Sequence, residues 1–275
     1  MLSCMRARAF TTYRNRLLTP EQSEHFKTYG YVVLKGLMPA KYASVIPQWA
    51  TMLEQLPETK GKWMKYFELD QINKQRILCR VENFMPFFKE IEECVLGFMT
   101  DITSDCLTEQ SVIHKEKINF KLPGGGGFTA HQDQPAYVSF GVDTFATVLL
   151  PADPNTMASG GLEFVPKRNE RVILPQNSDG GLRTDLEARM YWTPVEVFPG
   201  DVVVFDSYAP HRSDVNRSKF TRRNFYFTFN PLRQGSLRTR YYEERRRLFP
   251  PENERDPNKD YSQGAKIFNV ANPYK

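Results

Sequence analysis

Two histidines and one carboxylate in this chain have the spacing to hold a metal ion. His131 and Asp133 stand two apart in GGGGFTAHQDQPAY, residues 124–137. On an extended strand, residues two apart point to the same face. An imidazole nitrogen and a carboxylate oxygen can therefore aim at one point, while Gln132 faces away. His211 offers a third ligand. It follows PGDVVVFDSYAP, which reads as a turn and an apolar strand of a buried sheet. Two histidines and one carboxylate on one face of a metal leave the opposite positions open. That is the facial arrangement of non-haem Fe(II) oxygenases, whose open positions take a keto acid and dioxygen.

An H-x-D pair alone is common by chance, and the basic residue downstream gives it weight. Arg222 lies eleven residues after His211, entering the β-prone run NFYFTFNP. A guanidinium forks onto a carboxylate through two parallel hydrogen bonds, and the expected partner is the C5 carboxylate of 2-oxoglutarate. Ser213, two after His211, can add a hydroxyl donor to the same carboxylate. Arg223, the immediate rival, should face the opposite side of a strand. His131, Asp133, His211 and Arg222 are thus the candidate catalytic set, with the first three as metal ligands.

The elements that must position these residues divide the chain in two. Thr19 is a candidate N-cap, with Pro20 at the first helical position and Gln22 three after the cap. Gly30 ends that helix, and YVVLKG reads as a strand. Residues 40–56 read as helical with a kink or break at Pro47. Residues 86–110 read as helical at least to Met99, with Phe88, Ile91, Val95 and Met99 at helical spacing. After Ser111 the character changes to short β-prone runs divided by Gly and Pro: VIHKEKINFKL, AYVSFG, TFATVLLP, GGLEFVP, VEVFPG, DVVVFDSY and NFYFTFNP. A sandwich or double-sheet roll fits this array, and the lack of alternating long helices disfavours a Rossmann or α/β-barrel plan. Residues 236–260 read as a charged helix running into a Pro-rich tail.

His131-Gln-Asp133, PGD at 199–201, His211-Arg-Ser213, Asn216 and Arg222 together resemble the phytanoyl-CoA dioxygenase family of Fe(II)/2-oxoglutarate oxygenases. The opening LTPEQ…GYVVLKGL resembles that family's N-terminal helix and strand. The likeness covers residues 19–275, which it implies to be one domain, mainly β with flanking helices. The implied core is a double-stranded β-helix, or jelly roll, at about residues 111–232. The implied activity couples oxidative decarboxylation of 2-oxoglutarate to hydroxylation of a substrate C–H bond, with Fe(II), 2-oxoglutarate and O2 required, ascorbate supportive, and succinate and CO2 released. KEKINFKLPGGGGFTAHQDQPAY, SGGLEFVP, RRNFYFTFNP and YYEERRRLFPPENERDP resemble a narrower branch containing hydroxylases of 2-aminoethylphosphonate and 2-(trimethylamino)ethylphosphonate. One departure stands out. Where many relatives show Gly-Ser-His after SGGLEFVP, this chain reads KRNER, which weakens transfer of the substrate.

Lys115, Lys117, Asn119 and Lys121 recur at period two in HKEKINFKL, opposite His114, Glu116, Ile118 and Phe120. Lys115 is expected on a solvated face. Asn119 and Lys121 approach the glycine turn and rank above Lys117 as contacts to 2-oxoglutarate or an anionic substrate. Relatives often carry a lysine ten residues before the first iron-ligating histidine, which is Lys121 here. Thr147 is a further candidate near 2-oxoglutarate. Gln132, Tyr137, Lys117, Arg80 and Asn83 are candidates for the substrate, the last two between helices at the pocket mouth.

The totals bound what remains. The 275 residues are 40% hydrophobic with 20 Phe, enough for a sizeable core, and no apolar run approaches bilayer length. A soluble protein is therefore expected. Net charge is +5, but Arg6, Arg8, Arg14 and Arg16 put +4 into the first 20 residues, which argues against a general nucleic-acid surface. Residues 1–18 read either as a mitochondrial presequence or as a disordered tail. A cytoplasmic protein is expected in the second case. Cys4, Cys79, Cys94 and Cys106 lack paired spacing and read as free thiols. The expected partner is a small zwitterionic or anionic substrate. The alternatives are a fatty-acyl-CoA or secondary-metabolite hydroxylase, a non-catalytic metal-binding sensor, and a zinc hydrolase on the same three ligands.

Overall fold

The computed structural model describes residues 16–70, 73–166 and 170–268. Residues 1–15 of the candidate leader, and Lys167–Asn169 of the KRNER departure, lie outside them. Thr19 caps helix α1 (Pro20–Tyr29): its hydroxyl accepts from the Gln22 N–H, the Gln22 side chain accepts from the Thr19 N–H, and Gly30 closes the helix at φ 77°. Strand β1 (Tyr31–Leu34) follows at once. The stretch 40–56 forms two helices, α2 (Ala40–Ala43) and α3 (Ile46–Gln55). The break falls at Ser44–Val45, and Pro47 sits in the first turn of α3, where a missing N–H is tolerated.

Strands β2 (Met64–Leu69) and β3 (Arg76–Glu82) pair antiparallel. Arg80 therefore sits on a strand, not between helices as the sequence suggested. Helices α4 (Lys89–Cys94) and α5 (Thr100–Leu107) continue through a π-helical turn at Val95–Met99. The remaining strands are β4 (Ser111–Lys121), β5 (Phe128–His131), β6 (Ala146–Pro151), β7 (Leu162–Phe164), β8 (Thr193–Val195), β9 (Val202–Asp206), β10 (His211–Ser213) and β11 (Arg222–Pro231), with the short helix α6 (Thr184–Glu187) between β7 and β8. The run AYVSFG is not a strand. It lies in a 3-10 helix, Gln134–Phe140, with Pro135 in its first turn. The charged helix α7 (Arg238–Leu248) and α8 (Ser262–Phe268) end the described chain.

Seven strands form one sheet in the order β1-β9-β6-β11-β4-β3-β2, and four form a second in the order β5-β10-β7-β8. Every pairing is antiparallel. The two facing sheets form the double-stranded β-helix core of a mainly β protein with flanking helices. Period-two alternation assigns each face of the large sheet. Phe225, Phe227 and Phe229 of β11, Ile118 and Phe120 of β4, and Val148 and Leu150 of β6 pack against α1, α3, α4 and α5. Leu149, Val203, Phe205 and Tyr226 pack against Leu162, Phe164 and Val195 of the small sheet. The same inward face carries Arg222, Asn224 and Thr228, all buried. Cys79, Cys94 and Cys106 are buried free thiols. No helix among the described residues is long and apolar enough to cross a membrane.

One irregularity changes the face assignment of β4. Its register with β11 shifts so that Lys115 pairs Thr228 and Ile113 pairs Phe229. His114 is the extra residue of a bulge. Its ring is fully buried among Tyr137, Phe140, Phe145 and Tyr241, at centroid distances of 4.9–5.5 Å. It does not share the Glu116, Ile118 and Phe120 face, as strict alternation would have it. Neither ring nitrogen of His114 has a hydrogen-bond partner among the described residues.

Burial holds the His114 pKa well below its ordinary value, and the nearby charges of Lys115 and Arg238 push it the same way. The unfolded chain takes up a proton near pH 6.5 that the folded chain refuses. Stability therefore falls as pH drops below that value, by about 1.4 kcal/mol per pH unit. His114→Phe should shrink the difference in unfolding free energy between pH 7 and pH 5.5 by about 1 kcal/mol, measured by urea denaturation. An unchanged difference would show that His114 titrates normally.

Candidate active site

His131 ends β5 and pairs directly with His211, the first residue of β10. Their ring centroids are 4.2 Å apart. Asp133 is not part of the strand. Its backbone is helical, at φ −78° and ψ −29°, and it opens the 3-10 turn that follows. A turn, not strand alternation, thus swings its carboxylate to His131 Nε2, 3.8 Å away. The candidate ligand atoms of His131, Asp133 and His211 all lie within 4.8 Å of one another.

The rest of the local chemistry suits a divalent cation. His131 Nδ1 meets the Thr129 carbonyl at 2.7 Å and His211 Nδ1 meets the Ala209 carbonyl at 3.0 Å. A carbonyl can only accept, so both Nδ1 atoms carry the hydrogen and both Nε2 lone pairs are free for a metal. Burial, then the neighbouring His211, presses the His131 pKa down to about 3, and burial lowers that of His211. Burial alone would raise the Asp133 carboxyl. His211, Lys117, His131 and Lys115 around it outweigh that effect and bring it to about 2. The set is therefore two neutral imidazoles and one carboxylate, the protonation state that ligation needs.

Glycines permit the close approach. A Cβ on Gly127 would stand 2.6 Å from the Ser213 carbonyl oxygen, so β5 and β10 could not lie at this separation with any other residue there. Gly124, at φ 76°, donates its N–H to the Asn216 carbonyl at 2.8 Å. Asp206 shapes the turn before His211 by accepting from the N–H groups of Tyr208 and Ala209 at 2.9 and 2.8 Å.

Two chambers flank the three residues. The inner one, between the sheets, is lined by Lys117, Asn119, Thr147, Ser213, Tyr226 and Thr228. Thr147 and Thr228 share a hydrogen bond of 3.0 Å, and Asn119 Oδ1 accepts from Arg80 Nε at 2.9 Å. On the same face of β11, Arg222 is 1% exposed and donates to Asn155 Oδ1 at 2.9 Å. Its Nε has no partner among the described residues. Arg223 turns the other way and pairs with Asp153 at 2.7 Å. Directly across from Arg222 stands Lys121, also buried. Lys121 Nζ donates to Ser213 Oγ at 2.9 Å and to the Asp214 carbonyl at 2.5 Å. Burial, and then the charge of Arg222, hold its pKa well below the usual lysine range.

The outer chamber is lined by Arg80, Lys115, Lys117, Tyr137, Tyr241 and Arg245, with Phe268 and the two ligand residues of the HQD segment. Lys117 borders both chambers, whereas Lys121 is tied to β10 and faces Arg222. Lys115 is not solvated as expected: it faces the outer chamber, and burial presses its pKa to about 8. Gln132 is spent on structure. Its Nε2 donates to the carbonyls of Tyr208 and Val172 at 2.7 and 3.0 Å, and its Oε1 accepts from the Leu174 N–H at 2.8 Å. Asn83 lines neither chamber and bonds instead to the Lys62 carbonyl and to Arg238. Arg245, Tyr241 and Phe268 were not named in advance, because they reach the site from helices that follow the sheets in sequence, and the resemblance of YYEERRRLFPPENERDP gave them no role.

Gly127→Ala should force β5 and β10 apart and weaken binding of Co(II), a spectroscopic stand-in, by about 10-fold or more, the scale of losing a ligand's support. Gly97→Ala is the control, since a Cβ there meets nothing within 4 Å. Equal Co(II) affinity in the two variants would mean that the glycine does not set the ligand geometry.

Comparison with known proteins agrees with this architecture. Residues 26–224 match the family model described as phytanoyl-CoA dioxygenase. A 2-aminoethylphosphonate dioxygenase from the uncultured bacterium HF130_AEPn_1 is 42% identical over 258 residues, covering 94% of this chain and 98% of that one. A methylphosphonate hydroxylase from Gimesia maris is 33% identical over 236 residues, covering 86% and 89%. Among solved structures, EctD from S. alaskensis with 2-oxoglutarate and 5-hydroxyectoine has the same fold. Its TM-score is 0.66 at 18% identity, covering 85% of this chain and 88% of that one. With a family model spanning most of its length and these relatives beside it, the chain belongs to the phytanoyl-CoA dioxygenase family of Fe(II)- and 2-oxoglutarate-dependent oxygenases.

Proposed function

We propose that this chain hydroxylates a C–H bond of a small phosphonate, holding Fe(II) through His131, Asp133 and His211 and 2-oxoglutarate through Arg222 and Lys121. The observation that carries the reading is the buried pair Arg222–Lys121. These two cations face each other across β11 and β4 with no carboxylate partner among the described residues, and one guanidinium N–H is left over. Two adjacent buried like charges are costly unless an anion joins them. The distal carboxylate of a keto acid supplies that anion, and Arg222 can grip it in a fork.

The iron, when bound, supplies the oxygen chemistry that couples decarboxylation of the keto acid to hydroxylation of the substrate. The chain's own part is placement. The Thr129 and Ala209 carbonyls hold both imidazole rings in the ligating tautomer. The groups around Asp133, His211 and Lys117 foremost, keep it ionised. Phe128, Leu162 and Phe205 wall the inner chamber and exclude water. No acid–base pair is required, and none is arranged around the three ligands. The two phosphonate-acting relatives support the substrate class, as does the excess of cations around the outer chamber.

With Fe(II), ascorbate and 2-oxoglutarate, methylphosphonate or 2-aminoethylphosphonate should raise succinate release above the uncoupled background. No stimulation by any phosphonate would sink the substrate reading. His131→Ala should lose both iron and succinate formation. Arg222→Met should keep the metal and raise the KM for 2-oxoglutarate about 30-fold or more, the scale of about 2 kcal/mol for truncating one side of a buried charge pair. An unchanged KM would remove Arg222 from the cosubstrate site.

A further inference from the structure

Resting on the phosphonate reading of the outer chamber, we propose that Lys115 and Lys117 form the headgroup site, taking a doubly charged phosphonate beside the metal ligands. Charge accounting in the chamber points to these two. Four cations line it: Arg80, Lys115, Lys117 and Arg245. The two guanidiniums are already committed. Arg245 Nε lies 2.8 Å from Glu82 Oε2 and Arg80 NH1 lies 3.2 Å from Glu82 Oε1. Arg80 also holds Asn119, and Arg245 donates to the Phe268 carbonyl at 3.2 Å. Glu82 is 1% exposed and serves both.

Lys115 and Lys117 have no hydrogen bond or ion pair with any described residue. Each rests only against aromatic faces. Lys115 Nζ stands 4.8 Å from the Tyr137 ring and 5.3 Å from the Tyr241 ring, and Lys117 Nζ stands 5.2 Å from the Tyr226 ring. A ring face attracts an ammonium but leaves its N–H donors unused. Asp133 faces both lysines, yet as a metal ligand its charge is shared with the ion. Two ammonium groups without acceptors, on one strand face and bordering one chamber, match a dianion with several acceptor oxygens. A phosphonate carries that charge near neutral pH, as a phosphoryl group does.

The inner chamber is bordered by Lys117 but not by Lys115, so the outer chamber is where both lysines can meet one ligand. The far wall of the outer chamber is Ile267 and Phe268 of α8. That helix is seated on α7 at Gly264, where a Cβ would fall 1.9 Å from the Leu248 carbonyl oxygen.

Lys115 gives the clean test, since it borders only the outer chamber. Calorimetry on the full chain, loaded with Co(II) and 2-oxoglutarate, should show methylphosphonate bound in preference to the singly charged, similarly shaped methanesulfonate. Lys115→Gln should weaken methylphosphonate at least tenfold and collapse that preference. Lys115→Arg should restore it in part, and 2-oxoglutarate affinity should stay within twofold in both variants. An unchanged preference in Lys115→Gln would overturn the headgroup assignment, as would methylphosphonate binding equally well without the metal-site neighbours Lys115 and Lys117. The readout is binding, so it stands apart from turnover. Wild-type protein that binds methylphosphonate but yields no succinate would fail the hydroxylase reading and leave the headgroup site intact.

Discussion

Everything at the active site depends on β5 and β10 lying close enough for His131 to face His211 directly. The pairing puts two imidazoles side by side at the edge of the small sheet, with ring centroids 4.2 Å apart. It is possible only because Gly127 leaves room for the Ser213 carbonyl. Once the strands are fixed, their own carbonyls orient both rings, and the turn at Asp133 closes the set. A metal thus meets a site organised by backbone geometry, in which each histidine is locked by a carbonyl two residues before it.

The large sheet separates two kinds of burial. One face is phenylalanine and aliphatic residues against helices, and the driving force there is apolar area removed from water. The other face carries Arg222, Asn224, Tyr226 and Thr228 on one strand, with Lys117, Asn119 and Lys121 on its neighbour. Those polar groups are affordable only inside a network, and the network is incomplete. Arg222 Nε is orphaned, and Lys115 and Lys117 rest against ring faces that leave their N–H donors unused. Excess positive charge in a protected interior is the electrostatic form of a demand for anionic ligands.

Legibility followed locality. The ligand set was readable because H-x-D, the PGD turn with its following strand, and the His211–Arg222 spacing are short-range patterns. The strand array after Ser111 was readable, AYVSFG apart, because its short β-prone runs are divided by Gly and Pro. The hairpin β2–β3 was not, because Lys65, Arg80 and Glu82 are buried charges that disguise a strand as surface. The His114 bulge was hidden, since one inserted residue leaves no mark on composition yet moves every side chain beyond it to the other face. The contacts of Lys121 across the two sheets could not be read from distance along the chain. Lys121 is in fact drawn to Ser213 and the Asp214 carbonyl.

Glu82 links these observations. This one carboxylate, nearly without solvent, is shared by the guanidiniums of Arg80 and Arg245. Through Arg80 the contact continues to Asn119 of the inner chamber, and through Arg245 to the backbone of α8. The shared acid fixes the two arginines in the structure and leaves the two lysines, beside Asp133, facing the chamber. The C-terminal helices, to which the sequence assigned no role at the site, are thereby built into its charge network.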